Sequence, residues 1–388
     1  MFILLLLSTS FASFPPSPSY KISINTTSIP SHFPHYWKRA IGSGHAALSQ
    51  RSDWQQALKR AADDYGAMGI RQHGIFDDDM NVVVGPTESE TETGGPYTYN
   101  FTNIDLLWDV QVASGMSPLV ELGFMPYILA NCSSPSYPDP SLVQCEDNSG
   151  WIRAGTAYPP RDYADWTDLV FNTVSHAVDR YGLLAVQKWN FEVWNEMWGV
   201  RGSRGECDLG QYTQTLYKHA ARAVKKVDES LRVGGPAGAC SLLLKQFVDE
   251  CAVGDEEGPI PIDFVSFHQY GNPRECGYGM QPTLAEVEEG QVSQFGFYWD
   301  PACYSSMVKW ASDEISKSLL PNLPRFVTEY SVSVGEYQAD HDSSAAAAFF
   351  LRFVDEFREV LDVSSWWAFS DIFEVSQRAG EKKKTRSP

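Results

Sequence analysis

The chain has 388 residues, 43% hydrophobic and 20% charged, with 49 acidic against 30 basic side chains and a formal net charge of -19. This is the composition of a globular protein with room for one large domain or two medium ones, and it excludes the disordered class. So acidic a surface repels nucleic acid and anionic membranes, which leaves a neutral or cationic partner.

The run Met1-Phe2-Ile3-Leu4-Leu5-Leu6-Leu7, followed by small residues, reads as a secretory signal that is too short to span a bilayer, with cleavage near Ala12 or Ser13. Residues 1–13 are therefore expected to be a signal peptide and 14–32 a linker, and the protein is expected to be secreted or to reside in the endomembrane lumen. Acceptor triplets for N-glycosylation at Asn25, Asn100 and Asn131 fit that route. No later segment is long and apolar enough to span. The seven cysteines show no Cys-x-x-Cys spacing, so neither a metal nor a cofactor is called for. Proximity suggests the pairs Cys132/Cys145, Cys240/Cys251 and Cys276/Cys303, with Cys207 odd and the true connectivity open.

From residue 33 onward, strand-like and helical segments alternate. A first strand is placed in the Phe33-to-Trp37 region. Ser52 and Gln55 form an apparent capping box that opens a helix running to about Tyr65, before Gly66. Then follow a strand at Ile70 to Gly74, a helix near Asn103 to Ser114, a strand at Pro118 to Gly123 and a long helix from about Asp162 to Tyr181. A strand at Trp189 to Glu196 alternates, which puts Asn190, Glu192, Trp194 and Glu196 on one face and Trp189, Phe191 and Val193 on the other. Further pairs are a helix near Gln211 to Glu229 with a strand at Leu231 to Gly235, and a helix near Leu242 to Cys251 with a strand at Ile262 to His268. A helix near Tyr304 to Ser318 leads to a strand around Phe326, and an alanine-rich helix at Ser343 to Leu361 leads to a strand at Ser365 to Phe369.

Eight strands alternating with helices predict an α/β fold of the (β/α)8 TIM-barrel type over residues 33–376, with a basic tail at 377–388. No glycine-rich phosphate loop follows the early strands, which removes support from open-sheet cofactor folds. Two insertions, Leu129 to Arg161 and Gly271 to Pro301, are too long for simple connections and read as rim loops of a cleft.

Two strand ends carry a glutamate in polar and aromatic company, at Trp194-Asn195-Glu196 and Phe326-Val327-Thr328-Glu329. The mouth of such a barrel is where its chemistry is done. A lone glutamate at a strand end is more often an ion-pair partner. Two at matching ends fit the opposed carboxylates that cleave a glycosidic bond, at the ~5 Å separation of the retaining mechanism.

The sequence around these glutamates resembles glycoside hydrolase family 39, and within it the β-xylosidases, relatives of the α-L-iduronidases. The likeness runs through Gly42-Ser43-Gly44-His45-Ala46, Arg71-Gln72-His73-Gly74, Asp77-Asp78-Asp79-Met80, Glu121 to Pro126, Val233 to Pro236, and Trp367-Ala368-Phe369-Ser370-Asp371-Ile372-Phe373-Glu374. It implies that Glu196 is the general acid/base and Glu329 the nucleophile of a double displacement on terminal β-D-xylosyl residues of an oligosaccharide or glycoside. It also marks Trp367 as a platform under the sugar and Glu374 as a sugar contact, with Val375 where the family has a second acidic residue.

Side-chain chemistry adds supporting roles. Asn195 is placed to hold the sugar 2-hydroxyl, His268 and Tyr270 to bond hydroxyls or the nucleophile, and Arg71 and His73 share a strand face. An arginine beside Glu329 is expected to keep it ionised, and aromatic burial to raise the pKa of Glu196. His268-Gln269-Tyr270 stands where the iduronidases have basic residues, which favours a neutral sugar over an acidic one. The family carries an accessory β-sandwich, expected to be largely missing here, with Ser19 to Asn25 as its possible first strand. Two alternatives stay open: an iduronidase-like or other neutral-sugar glycosidase, and a secreted, catalytically inactive carbohydrate-binding protein.

Overall fold

The structure, a computed structural model, describes residues 33–85, 97–131, 158–196, 212–238, 243–270, 301–332, 341 and 343–372. Contacts divide the chain into Met1–Pro34, of which only Phe33 and Pro34 are described, and His35–Pro388, which holds every element below.

Eight parallel strands close into a barrel: β1 Ala40–His45, β2 Ile70–His73, β3 Leu119–Leu122, β4 Asn190–Val193, β5 Arg232–Gly238, β6 Phe264–Tyr270, β7 Arg325–Ser331 and β8 Val363–Trp366. Each pairs with its sequence neighbours and β1 pairs with β8. The longer helices are α1 Ser52–Arg60, α2 Thr102–Ala113, α3 Tyr163–Tyr181, α4 Lys218–Val227, α5 Leu244–Val253, α6 Pro301–Ser316 and α7 Ser344–Glu356, with a single turn at Leu183–Val186. An antiparallel ribbon, Val83–Val84 with Thr98–Tyr99, is inserted after β2. The predicted (β/α)8 barrel is thus the observed fold.

Sequence fixes the helix layer through spacing. In α3 the buried residues Trp166, Leu169, Val170, Thr173, Val174 and Ala177 recur every three or four positions, forming one apolar stripe against the sheet. Asp162 caps α3 by accepting from the Ala164 N–H, and Ser343 caps α7 through the Ala345 N–H. Inside the barrel, the first residues of several strands make a separate apolar plug of Ala40, Leu119, Phe264, Phe326 and Val363. The Phe264 and Phe326 rings stack there at 4.3 Å. Two residues further along β3 and β6, on the same inward face, stand Glu121 and Ser266, and Glu192 lies level with Glu121 on β4. The barrel is therefore dry at its base and polar above.

Several expected details differ. The Phe33-to-Trp37 region contains no strand. Tyr36–Lys38 is a 3-10 turn whose Tyr36 ring is buried and donates its hydroxyl to the Phe353 carbonyl at 2.8 Å. Aromatic residues that seal a barrel base have the same local pattern as an edge strand. Ser52 does not cap α1: it is the first helical residue, and Gln55 Nε2 donates instead to the Ser49 carbonyl at 2.8 Å. Helix α1 continues through a π turn, Ala61–Tyr65, that ends at Gly66 in the left-handed region. Cys251 is a free thiol on the buried face of α5 beside Phe247 and Val248, so the expected Cys240/Cys251 bridge is not formed. Cys132, Cys145, Cys207, Cys240 and Cys276, the signal, the possible sandwich strand and the basic tail lie outside the residues described, as does most of both long insertions. The stems of the first insertion are joined: Ala130 bridges Pro160, and Arg161 Nε donates to the Ala130 carbonyl at 2.8 Å. No described helix is long and apolar enough to cross a membrane.

Candidate active site

Arg71 sits on β2 with its side chain fully buried at the upper end of the barrel, and the site is built around it. Its Nε donates to Glu192 Oε2 at 2.6 Å and its Nη1 to Glu329 Oε2 at 3.2 Å. Its Nη2 donates to Asn195 Oδ1 at 2.8 Å and lies 2.9 Å from Glu121 Oε2. Glu121 and Glu192 are direct neighbours across β3 and β4, an arrangement that repels unless a cation stands between them. Arg71 is that cation. Burial works against the guanidinium charge, but Glu192, Glu121 and Glu329 together outweigh it and hold the Arg71 pKa above its ordinary value. Burial likewise opposes the Glu192 charge, and Arg71 overcomes it to hold that carboxyl below its usual range.

Glu329 reaches this cluster through an irregularity. Phe326 belongs to the inner plug, so strict alternation along β7 would turn Glu329 outward. Between Phe267↔Val327 and His268↔Glu329 the register of β6 and β7 slips by one residue. The extra residue, Thr328, returns the Glu329 carboxylate to the interior, as bulges beside active sites do. There Tyr270 donates its hydroxyl to Glu329 Oε1. Burial, then Glu329, pushes the Tyr270 pKa far up, so this hydroxyl keeps its proton.

Glu196 lies just beyond β4. The alternation expected for Trp189 to Glu196 ends at Val193, because Trp194 and Glu196 both have positive φ, 69° and 39°. Trp194 turns into the helix layer, edge-on to Phe124 and Trp166, and does not share the polar face. The Glu196 N–H donates to the Ala237 carbonyl at 2.9 Å, which anchors the turn to β5. Its side chain is 26% exposed, and Oε1 lies 2.9 Å from His268 Nδ1. Aromatic burial is the expectation for Glu196, and the side chain seen at hydrogen-bond distance from it is this imidazole. His268 Nε2 faces Arg71 Nη2 at 3.3 Å. An arginine can only donate, so Nε2 accepts and Nδ1 carries the proton aimed at Glu196. One oxygen of Glu196, one ring nitrogen of His268 and one oxygen of Glu329 fall within 4.8 Å of one another.

His73 completes the wall. Its Nδ1 is 2.8 Å from Glu121 Oε2 and its Nε2 is 3.8 Å from Glu329 Oε2. Its ring lies 4.7 Å from that of Trp367, just past β8. Adjacent Trp366 packs edge-on against Tyr330 and Phe350 as a core residue. The structure thus brings together eight of the nine sequence-derived candidates, Glu196, Glu329, Asn195, His73, His268, Tyr270, Trp367 and Arg71, while Glu374 lies outside the described residues. Asn195 is turned with its carbonyl to Arg71, which leaves its amide group to donate.

Sequence reasoning missed Glu121, Glu192 and the pair His45 and Asp77, whose Nε2 and Oδ2 lie 2.9 Å apart with both side chains buried. A signal was present: Glu121 and Glu192 are single charges inside apolar strands that are buried on both faces.

Comparison with known proteins gives the family. The family model for glycosyl hydrolases family 39 matches residues 20–383. A β-xylosidase from Geobacillus stearothermophilus is 33% identical over 351 residues, which cover 88% of this chain and 62% of that protein. One from Caldicellulosiruptor saccharolyticus is 32% identical over 359 residues, 91% of this chain and 64% of that protein. The crystal structure of a monomeric β-xylosidase from Caulobacter crescentus CB15 superposes with a TM-score of 0.71 at 29% identity, covering 88% of this chain and 62% of that one. The chain therefore spans a little under two thirds of the relatives it matches. A closed eight-stranded barrel, paired glutamates at its mouth and a family match over nearly its whole length have one reading: the chain belongs to glycosyl hydrolases family 39.

Proposed function

We propose that the protein is a retaining glycoside hydrolase that removes terminal β-D-xylosyl residues by double displacement, with Glu329 as nucleophile and Glu196 as acid/base. The observation that carries this is the approach of the two carboxylates at the ends of β4 and β7, one oxygen of each lying within 4.8 Å of one of the other. Retaining enzymes hold theirs about 5–5.5 Å apart, whereas inverting enzymes leave about 6.5–9.5 Å for a water.

In this reading Glu329 attacks the anomeric carbon as Glu196 gives its proton to the departing glycosidic oxygen, so the C–O bond breaks as the Glu329–sugar bond forms. Water then attacks the same carbon and gives a proton back to Glu196, and the Glu329 oxygen leaves as carboxylate. Arg71 and Tyr270 each hold one oxygen of Glu329 and fix its aim. His268, by donating from Nδ1, fixes that of Glu196. The Asn195 amide is free to meet a sugar hydroxyl, and the half-buried Trp367 offers a face for the apolar side of a pyranose. The xylose preference rests on the β-xylosidases matched above, and the signal-like N-terminus supports secretion.

The test is nitrophenol release from 4-nitrophenyl β-D-xyloside, with the anomer of the first-formed xylose read by proton NMR. Turnover to β-xylose, abolished in Glu329→Gln while xylose binding survives, is the expected result. A well-folded protein that turns over no xyloside, or one that releases α-xylose, contradicts it.

A further inference from the structure

His73 differs from its neighbour His268 in what its two nitrogens face. In His268 one nitrogen meets a guanidinium and the other a carboxylate, which one neutral tautomer satisfies. In His73 both face carboxylates, Nδ1 toward Glu121 Oε2 at 2.8 Å and Nε2 toward Glu329 Oε2 at 3.8 Å. A neutral ring would satisfy Glu121 and point its bare lone pair at Glu329. Only a ring carrying both protons donates toward both anions.

Glu121 is what makes that state stable. Its side chain is fully buried, and the same Oε2 that meets His73 also lies 2.9 Å from Arg71 Nη2. Among the described residues, the charged and titratable groups facing His73 include Glu121 from β3, Glu329 from β7 and Arg71 from its own strand, with His45, tied to Asp77, beside it in register on β1. The ring of Trp367 adds a face that favours a cation.

We propose that Glu121 is a positioning residue that keeps His73 as an imidazolium, so that Glu329 faces two buried cations and not one. Within this cluster Arg71 and His73 then balance Glu121 and Glu192, and Glu329 carries the negative charge left over. That charge lies where a positive oxocarbenium develops, and it vanishes when the sugar becomes covalently attached. Burial alone would lower the His73 pKa. Glu121 first, then Glu329, outweighs burial and raises it, in keeping with this geometry.

The part of the inference that concerns catalysis rests on the hydrolase reading; the protonation state of His73 does not. Selective 15N labelling of the eight histidines, with His73 assigned by its loss in His73→Gln, reads that state directly. In the wild type, His73 is expected to show two protonated nitrogens at pH 7.5, where a free imidazole, with a pKa of about 6.5, is neutral. A neutral tautomer there overturns the proposal without any variant. In Glu121→Gln, which keeps the shape and an acceptor, His73 is expected to lose its proton at lower pH. The ratio of kcat/KM at pH 5 to that at pH 8 should rise about tenfold over wild type, the equivalent of one pKa unit. An unchanged His73 titration in a folded Glu121→Gln protein also overturns it. If His73 is an imidazolium but no glycoside is cleaved, the hydrolase reading fails and this one stands.

Discussion

Glu196 and Glu329 are equivalent by residue type and distinct by surroundings. Glu329 is held at both oxygens, by Arg71 and Tyr270, and its side chain is only 10% exposed. Glu196 is 26% exposed and meets a neutral imidazole donor. The first carboxylate is pinned at both oxygens and the second is held at one and more open to solvent, which is what the proposed roles of nucleophile and acid/base ask of them. Glu196→Ala should therefore be read with two substrates. An aryl glycoside with a good leaving group needs no protonation to depart, whereas an alkyl or sugar aglycone does. Loss of general-acid catalysis, worth about 10²–10⁴-fold, is expected on the natural glycoside, with glycosylation of an activated aryl glycoside nearly spared. Equal loss of kcat/KM on both substrates contradicts the assignment.

At the scale of the element, what the sequence left legible was periodic and what it hid was irregular. The apolar stripe of α3 and the alternation of β4 up to Val193 announce themselves in spacing. The slip at Thr328 that aims Glu329, and the left-handed turn that carries Trp194 away and Glu196 inward, depend on pairing between strands and have no local signature. The motif puts the two glutamates at strand ends, but the reason they converge is tertiary. Glu121 and Glu192 escaped because a charge within an apolar strand has meaning only once its cation, from another strand, is known. Close packing at the β1 and β8 ends makes a second prediction. A Cβ on Gly42 would stand 2.6 Å from Trp367 Cε3 and 2.9 Å from the Trp366 carbonyl oxygen, and neither the ring, pinned by His73, nor the backbone can move freely. Gly42→Ala is expected to lower stability by about 1–3 kcal/mol, the usual cost of overpacking. By displacing the Trp367 face it should raise KM for the xyloside more than it lowers kcat. An unchanged KM would show that Trp367 is no platform.

Over the whole molecule, the division between an apolar base and a charged mouth explains how a protein of net charge -19 handles its acids. Many described ion pairs lie on the surface, as between Arg180 and Asp109 or Lys59 and Asp63, where such pairs contribute little. Among the described residues the buried glutamates are instead gathered on Arg71 and His73, where removing one partner strands a charge and costs far more. Stability should follow this cluster in pH. His73 has a raised folded-state pKa, so its contribution is complete below the unfolded value of about 6.5 and is lost as pH rises through the folded value. Glu192, whose pKa is depressed, contributes above its unfolded value and loses that contribution as pH falls.

The most direct measurement for the account as a whole is covalent trapping. A 2-deoxy-2-fluoro-β-D-xyloside with an activated leaving group slows both displacement steps, the second enough for the glycosyl-enzyme to accumulate, and peptide mass spectrometry then locates the sugar. The expected result is one fluoroxylosyl group on the peptide containing Glu329, with no label on the Glu329→Gln protein. A label on another carboxylate, or a folded and active enzyme that accumulates no covalent sugar, would contradict it.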